Sequence, residues 1–192
     1  MGCMSDTVDS APAALARLVE FVNTRRADGD TIGTPEELTN WLRAHELLPE
    51  GTADTAAQER AVRIREGLRA LLATNNAEPV TSPRPDGLNP AARAELAALT
   101  ATLPLTLNVT STPPRLVPNT DDVVDHALTT LLADVATAVA AGTWSRLKTC
   151  REPSCRWAFF DHSRNRGRTW CSMDVCGNRV KVRASHRRNA AR

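Results

Sequence analysis

Four of the chain's five cysteines, Cys150, Cys155, Cys171 and Cys176, form two C-x4-C pairs separated by 15 residues. No other feature restricts the fold so tightly. Two short cysteine pairs brought together by a hairpin supply the four soft ligands that a tetrahedral zinc ion takes. Two disulfides, or free thiols, are the other outcomes this spacing allows. A chain with no secretory segment at its start favours metal, because thiols stay reduced in the cytoplasm. Four thiolates fill the coordination shell and leave no position for water or substrate, so the expected site is one structural zinc ion without catalysis. A module of this length buries too little core to fold on apolar contact alone, and metal binding would supply its folding free energy.

Charge divides the chain at the same place. From Ser145 to Arg192 there are 13 Lys and Arg against 3 Asp and Glu, whereas residues 1–144 hold 11 against 19. The overall balance of +2 conceals this split between an acidic body and a basic tail. The tail's charge predicts a polyanionic partner, with nucleic acid the first expectation. The opening Met1-Gly2-Cys3 does not read as a lipidation signal, because Asp6 stands where Ser or Thr is needed. No apolar run approaching the ~18 residues of a spanning helix is expected, so the chain reads as cytoplasmic and without a membrane partner.

The body reads as packed helices. Alanine and leucine dominate the chain's apolar residues, aromatics make up only 4% of the whole sequence and Tyr is absent, a composition that suits helices better than strands. Leu15, Leu18, Val19 and Val22 fall at helical spacing and predict a helix over 13–26. Thr34-Pro35-Glu36-Glu37 carries a helix start, with Thr34 as N-cap, Pro35 at the first helical position and Glu37 closing a capping box. Further helices are expected over 53–74, 90–101 and 120–141, with a proline-rich loop over 78–89. Alternation at Leu103, Leu105, Leu107 and Val109, answered by Arg115-Leu116-Val117, predicts a small hairpin.

Inside the tail, Trp157–Asp161 and Thr169-Trp170 read as two strands joined by the basic turn 162–168, and a helix is expected from Gly177 to about Arg188. Knuckle, hairpin and knuckle at a helix start is the plan of a treble-clef finger. Candidate nucleic-acid contacts are Arg164, Arg166 and Arg168 on the turn, and Asn178, Arg179, Lys181, Arg183, Arg187 and Arg188 on the helix. Arg179, Arg183 and Arg187 would share one side. Asn178 suits a base edge or a turn-closing hydrogen bond, and the bond is preferred. Trp157, Phe159 and Trp170 are read as covering the metal site rather than stacking on bases. Asp161 is expected to pair with a cation or cap a turn. In the body, Asn23, Thr24 and Trp41 are candidates for a small-molecule pocket, with loop capping the alternative for Asn23.

Several of these residues carry a resemblance. The two cysteine pairs, Trp157, Phe159, Asp161-x-Ser163-Arg164-Asn165, Arg168-x-Trp170-Cys171-Ser172-Met173 and Cys176-Gly177-Asn178-Arg179 with Lys181 resemble the CGNR zinc-finger family. Phe21-Val22-Asn23-Thr24 and Leu38-x-x-Trp41-Leu42 are similar to the ABATE domain that usually precedes that finger. The resemblance implies DNA binding through the finger's basic residues and a role as a stress-induced transcriptional regulator.

The expected architecture is mainly α, with a helical domain and small β-hairpin over 1–143, then a treble-clef-like ββα zinc finger over 144–192. The expected function is a zinc-containing, DNA-binding transcriptional regulator whose N-terminal domain senses a ligand or mediates assembly, and which is not an enzyme. An RNA-binding or protein-interaction module, or an enzyme using the finger as scaffold, are the rival readings. The sequence is compatible with an oligomer and with an unidentified small-molecule ligand.

Overall fold

The computed structural model describes residues 13–26, 28–76 and 90–190. The expected loop 78–89 and the terminal Met1-Gly2-Cys3 lie outside the described residues. Five helices build the body: α1 (Ala13–Val22), α2 (Pro35–Ala44), α3 (Thr55–Ala73), α4 (Pro90–Thr100) and α5 (Val123–Ala140). Three two-stranded antiparallel sheets accompany them among the described residues. These are β1 (Arg25–Arg26) with β2 (Gly29–Asp30), β3 (Leu105–Asn108) with β4 (Arg115–Pro118), and β5 (Leu147–Thr149) with β6 (Ala158–Phe160). One last helix, α6 (Asn178–Ala190), follows the second cysteine pair. The fold is mainly α, as the composition requires.

Local chemistry sets the helix ends. The Thr34 hydroxyl accepts from the Glu37 N–H at 3.2 Å, and the Glu37 carboxylate accepts from the Thr34 N–H at 3.0 Å. Both halves of the capping box are therefore made, satisfying two helix-end donors. Asp54, not Ala53, caps α3 by accepting from Ala57. Asp122 caps α5 by accepting from Val124 and Asp125. α1 stops at Val22, four residues short of expectation, because Arg25-Arg26 leave the helix to pair with Gly29-Asp30.

The core runs through α1, α3 and α5. Leu18, Val19, Phe21, Ile64, Leu68, Leu128 and Leu131 are all sealed from solvent, each burial removing about 1.5–3 kcal/mol of apolar exposure. Leu147, Ala158 and Phe160 of the β5–β6 hairpin belong to the same cluster. The core is thus continuous across residue 143, where charge divides the chain. α5 is 18 residues long and apolar enough, by length and composition, to cross a membrane, which corrects the expectation of no such run. Its residues Ala127, Leu128 and Leu131 are core, and its Asp134 pairs with Arg17 of α1 at 2.7 Å.

α3 and α4 pack most closely at Gly67. A Cβ there would lie 2.5 Å from the Leu96 Cβ and 2.9 Å from the Ala92 carbonyl oxygen. Helix propensity alone would favour alanine by about 1 kcal/mol. The steric clash outweighs that, so Gly67→Ala should destabilise the protein by about 1–3 kcal/mol in chemical denaturation. An unchanged or raised midpoint would show that α4 does not press on α3 at this point.

Candidate metal centre and the basic face around it

The first cysteine pair lies at the tip of the β5–β6 hairpin. Leu147 pairs with Phe160 and Thr149 with Ala158, and the Cys150 N–H continues the ladder to the Trp157 carbonyl at 2.8 Å. Residues 151–156 turn through the Glu152 carbonyl, which accepts from Cys155 at 2.8 Å and Arg156 at 3.1 Å, with Arg156 at φ 52°. This corrects one expectation. β6 pairs with the strand before Cys150, and Thr169-Trp170 forms no strand with it.

The second pair closes on a wide turn over Met173–Gly177 that runs into α6. The Ser172 carbonyl accepts from Cys176 at 3.0 Å and Gly177 at 3.1 Å, and the Ser172 hydroxyl accepts from Val175. Gly177 is buried where a Cβ would meet the Met173 sulfur at 3.0 Å and the Trp170 ring at 3.4 Å. A side chain at 177 would have to push the flexible end of Met173 aside by a few tenths of an ångström.

All four sulfurs lie within 4.8 Å of one another. Cys155 and Cys176 each stand 3.6 Å from Cys171. Four thiolates at about 2.3 Å from a tetrahedral ion would be about 3.8 Å apart, so the donor set fits a metal of that size. Cys150, Cys171 and Cys176 are buried and Cys155 half-buried, with Phe159, Trp157 and Trp170 packed over them. Hydrogen bonds from Cys150 and then Cys171 pull the Cys155 thiol down to about 2, while Cys171 is pushed up, first by Cys150 and Cys155.

The chain between the pairs folds over a buried ion pair. Lys148 Nζ donates to Asp161 at 2.7 Å, and both side chains are essentially inaccessible. Lys148 also donates to the carbonyls of Arg166 and Arg168. Asp161 accepts from the N–H groups of Ser163 at 2.9 Å and Arg168 at 3.0 Å. Burial alone would raise the Asp161 pKa, but the bonds from Lys148 and Ser163 outweigh it and hold the carboxyl below its ordinary value.

The basic residues divide by what they touch. Arg164, Arg166, Arg179 and Lys181 are exposed. Arg168 instead lies over the Phe159 ring, 5.1 Å from its centroid, and donates to the Trp170 and Cys171 carbonyls. Arg183 turns toward the first knuckle and pairs with the wholly buried Glu152. Burial raises the Glu152 pKa, yet the Arg183 and Ser154 hydrogen bonds bring it below the ordinary value. The Asn178 amide donates to the Asp174 carbonyl at 2.9 Å, closing the turn. The side chains of Arg187 and Arg188 lie outside the described residues.

Asn23, Thr24 and Trp41 share one recess of about 310 Å³ with His45 and Trp157. The Asn23 amide is engaged there: it donates to the Ala158 carbonyl at 2.9 Å and accepts from the Ala158 N–H at 2.8 Å. It therefore pairs with β6 as a neighbouring strand would. Three more body residues grip the finger, and sequence patterning did not reveal them. Asn75 donates to the Trp144 and Leu147 carbonyls, Asn76 to Thr149, and Arg69 to Arg156 and Val22. Asn75 and Asn76 fall just past the expected end of the helix over 53–74, and nothing in spacing or residue type separates Arg69 from that helix's other charges.

A helical body locked to a four-cysteine finger defines a metal-finger protein with an integral helical domain. The chain belongs to the ABATE family, described as "Putative stress-induced transcription regulator", whose family model matches residues 15–142, and the CGNR zinc-finger model matches residues 146–189. No curated protein matches the chain.

Removing one member of a buried ion pair leaves a charge without compensation, at a cost of about 3–5 kcal/mol. Lys148→Met should show a loss of that size in denaturant titration, and Lys148→Met with Asp161→Leu a smaller one. Because the folded Asp161 pKa is lowered, its contribution is complete above the unfolded value of about 4 and fades as pH falls through the folded one. Asp161→Asn should flatten that acid limb of the stability profile. A cost for the double variant equal to the sum of the Lys148→Met and Asp161→Leu costs would show that the pair carries no coupling.

Proposed function

We propose that the chain is a zinc-dependent, duplex-DNA-binding transcriptional regulator of the cytoplasm, with a helical domain that senses a ligand or mediates assembly. The observation that carries this reading is the outward set Arg164, Arg166, Arg179 and Lys181 on a cysteine-nucleated module. Among the described residues these cations make none of the ion pairs that hold Arg183 and Lys148, although Arg166 donates to the Ser145 hydroxyl at 3.1 Å. On this reading they meet phosphates, while Arg168, Arg183 and Asn178 hold the module's shape. The acidic body repels the same polyanion and restricts contact to the finger.

Zinc is the metal this reading assigns. An all-thiolate tetrahedral set is the chemistry of structural zinc, and a closed shell leaves that ion no catalytic position; on this reading the protein is not an enzyme. When bound, the ion neutralises thiolate charge and fixes the two knuckles. The chain's own residues orient the cations, through Lys148 beneath the 161–168 loop and Glu152 beneath α6. The recess bounded by Asn23, Thr24, Trp41, His45 and Trp157 supports ligand sensing, because it lies where the body meets the finger and approaches small-molecule size.

DNA affinity should fall steeply with salt, because each neutralised phosphate contributes about 0.9 to the slope of log K against log salt. Arg164→Ala with Arg166→Ala should reduce that slope by about 1–2 in fluorescence anisotropy titrations of the full chain. Binding that ignores salt would remove the electrostatic argument. Structured RNA outcompeting duplex DNA would reassign the partner.

A further inference from the structure

A recess of about 930 Å³ opens between α1, α5 and the β3–β4 hairpin, within the ~300–1,000 Å³ that small-molecule sites occupy. It shares no residue with the recess at Asn23 or with the outward cations of the finger, so a site there is independent of both. α5 lines it with one polar face, His126, Thr130, Asp134 and Thr137, spaced by three and four residues. Asp134 is 8% exposed, and both Arg17 contacts, at 3.2 and 2.7 Å, fall on its Oδ2. Among the described residues Oδ1 accepts no hydrogen bond. A nearly sealed acceptor of this kind is costly until a donor meets it. Burial raises the Asp134 pKa and the Arg17 bond and charge only partly offset it, as expected of a carboxylate short of donors. The neighbouring hydroxyls have the same need. Thr130 donates to the His126 carbonyl at 2.9 Å and Thr137 to Ala133 at 3.0 Å, which leaves their lone pairs as acceptors. Charge sets the other end of the recess. Arg17 neutralises Asp134, and Arg115 on β4 is exposed and makes no ion pair among the described residues.

We propose that this recess binds a small organic acid that carries a hydroxyl donor on an apolar body. The carboxylate meets the Arg115 guanidinium, whose fork matches two oxygens, and the hydroxyl donates to Asp134 Oδ1. The body lies along Leu116, Val117 and Ala133. Leu116 is 37% exposed, apolar surface that such a body would remove from water. A hydroxyl suits Asp134 better than an ammonium, because Arg17 already supplies the balancing charge and a second cation there would be left unpaired. With Arg17 and Asp134 cancelling and His126 neutral, the recess holds one net positive charge, which calls for one carboxylate.

Amide chemical-shift titration of the full chain tests this with probes of one shape. They are 4-hydroxybenzoate, 4-methoxybenzoate, which lacks the donor, and 4-hydroxybenzamide, which lacks the charge. Saturable shifts with 4-hydroxybenzoate are expected around His126, Thr130 and Asp134, with a dissociation constant of about 1 mM for so small a molecule. Each of the other probes should bind about tenfold more weakly, one having lost the hydrogen bond and the other the ion pair. Arg115→Gln should remove the preference for the acid over the amide and leave the unfolding midpoint unchanged. Should that variant fail to fold, the ranking of the three probes on the wild type decides alone. No saturable shifts, or equal affinity for the acid and the amide, would overturn the proposal. So would equal affinity for the hydroxyl and methoxy probes, or unchanged binding by a folded Arg115→Gln variant. Shifts centred on Asn23 and Trp41 would also overturn it, by placing the occupant in the other recess.

Discussion

Four sulfur atoms within 4.8 Å of one another cannot all carry negative charge in a half-sealed site without a cation among them. That constraint orders the C-terminal part of the molecule. Cys150 and Cys155 fix the tip of one hairpin, Cys171 and Cys176 fix the start of α6, and nothing else described joins those segments so tightly. α6 itself carries almost no apolar surface, so its position depends on the cysteine turn and on Arg183 reaching Glu152. Removing the cation would return four thiols to competition for protons and release the helix.

The body contributes as much as the metal to how the finger is presented. Asn23 supplies a strand-like pair of hydrogen bonds to Ala158, and Asn75 and Asn76 supply bonds to the other strand. Each meets a backbone group that would otherwise be buried without a partner, and each such loss costs about 1–3 kcal/mol. With Leu147, Ala158 and Phe160 in the common core, the finger is a continuation of the helical fold rather than a bead on a tether. A change in the body near Asn23 or Arg69 therefore reaches the first knuckle through a few rigid contacts.

Much of this was legible in the sequence, where local chemistry decides the outcome. The capping box at Thr34 and Glu37, the hairpin from Leu105 to Pro118 and the four-cysteine cluster follow from spacing and residue type. Contacts between distant segments were not legible. Lys148 and Arg168 read as two more members of a basic tail, yet one is sealed against Asp161 and the other stacks on Phe159. Charge alone does not say which cations fold inward, because that depends on carboxylates and carbonyls brought near by the fold. The pairing of β6 was misread for a related reason. A strand's partner is set by the hairpin that the cysteine tip closes, and the Thr169 carbonyl instead accepts from the Arg151 N–H at 3.1 Å.

The account rests on the four cysteines acting together as one metal site, and X-ray absorption at the zinc edge of the purified full chain tests that most directly. The expected spectrum is one zinc per chain surrounded by four sulfurs at about 2.3 Å. A shell containing nitrogen or oxygen, or a folded chain that carries no metal, would contradict it.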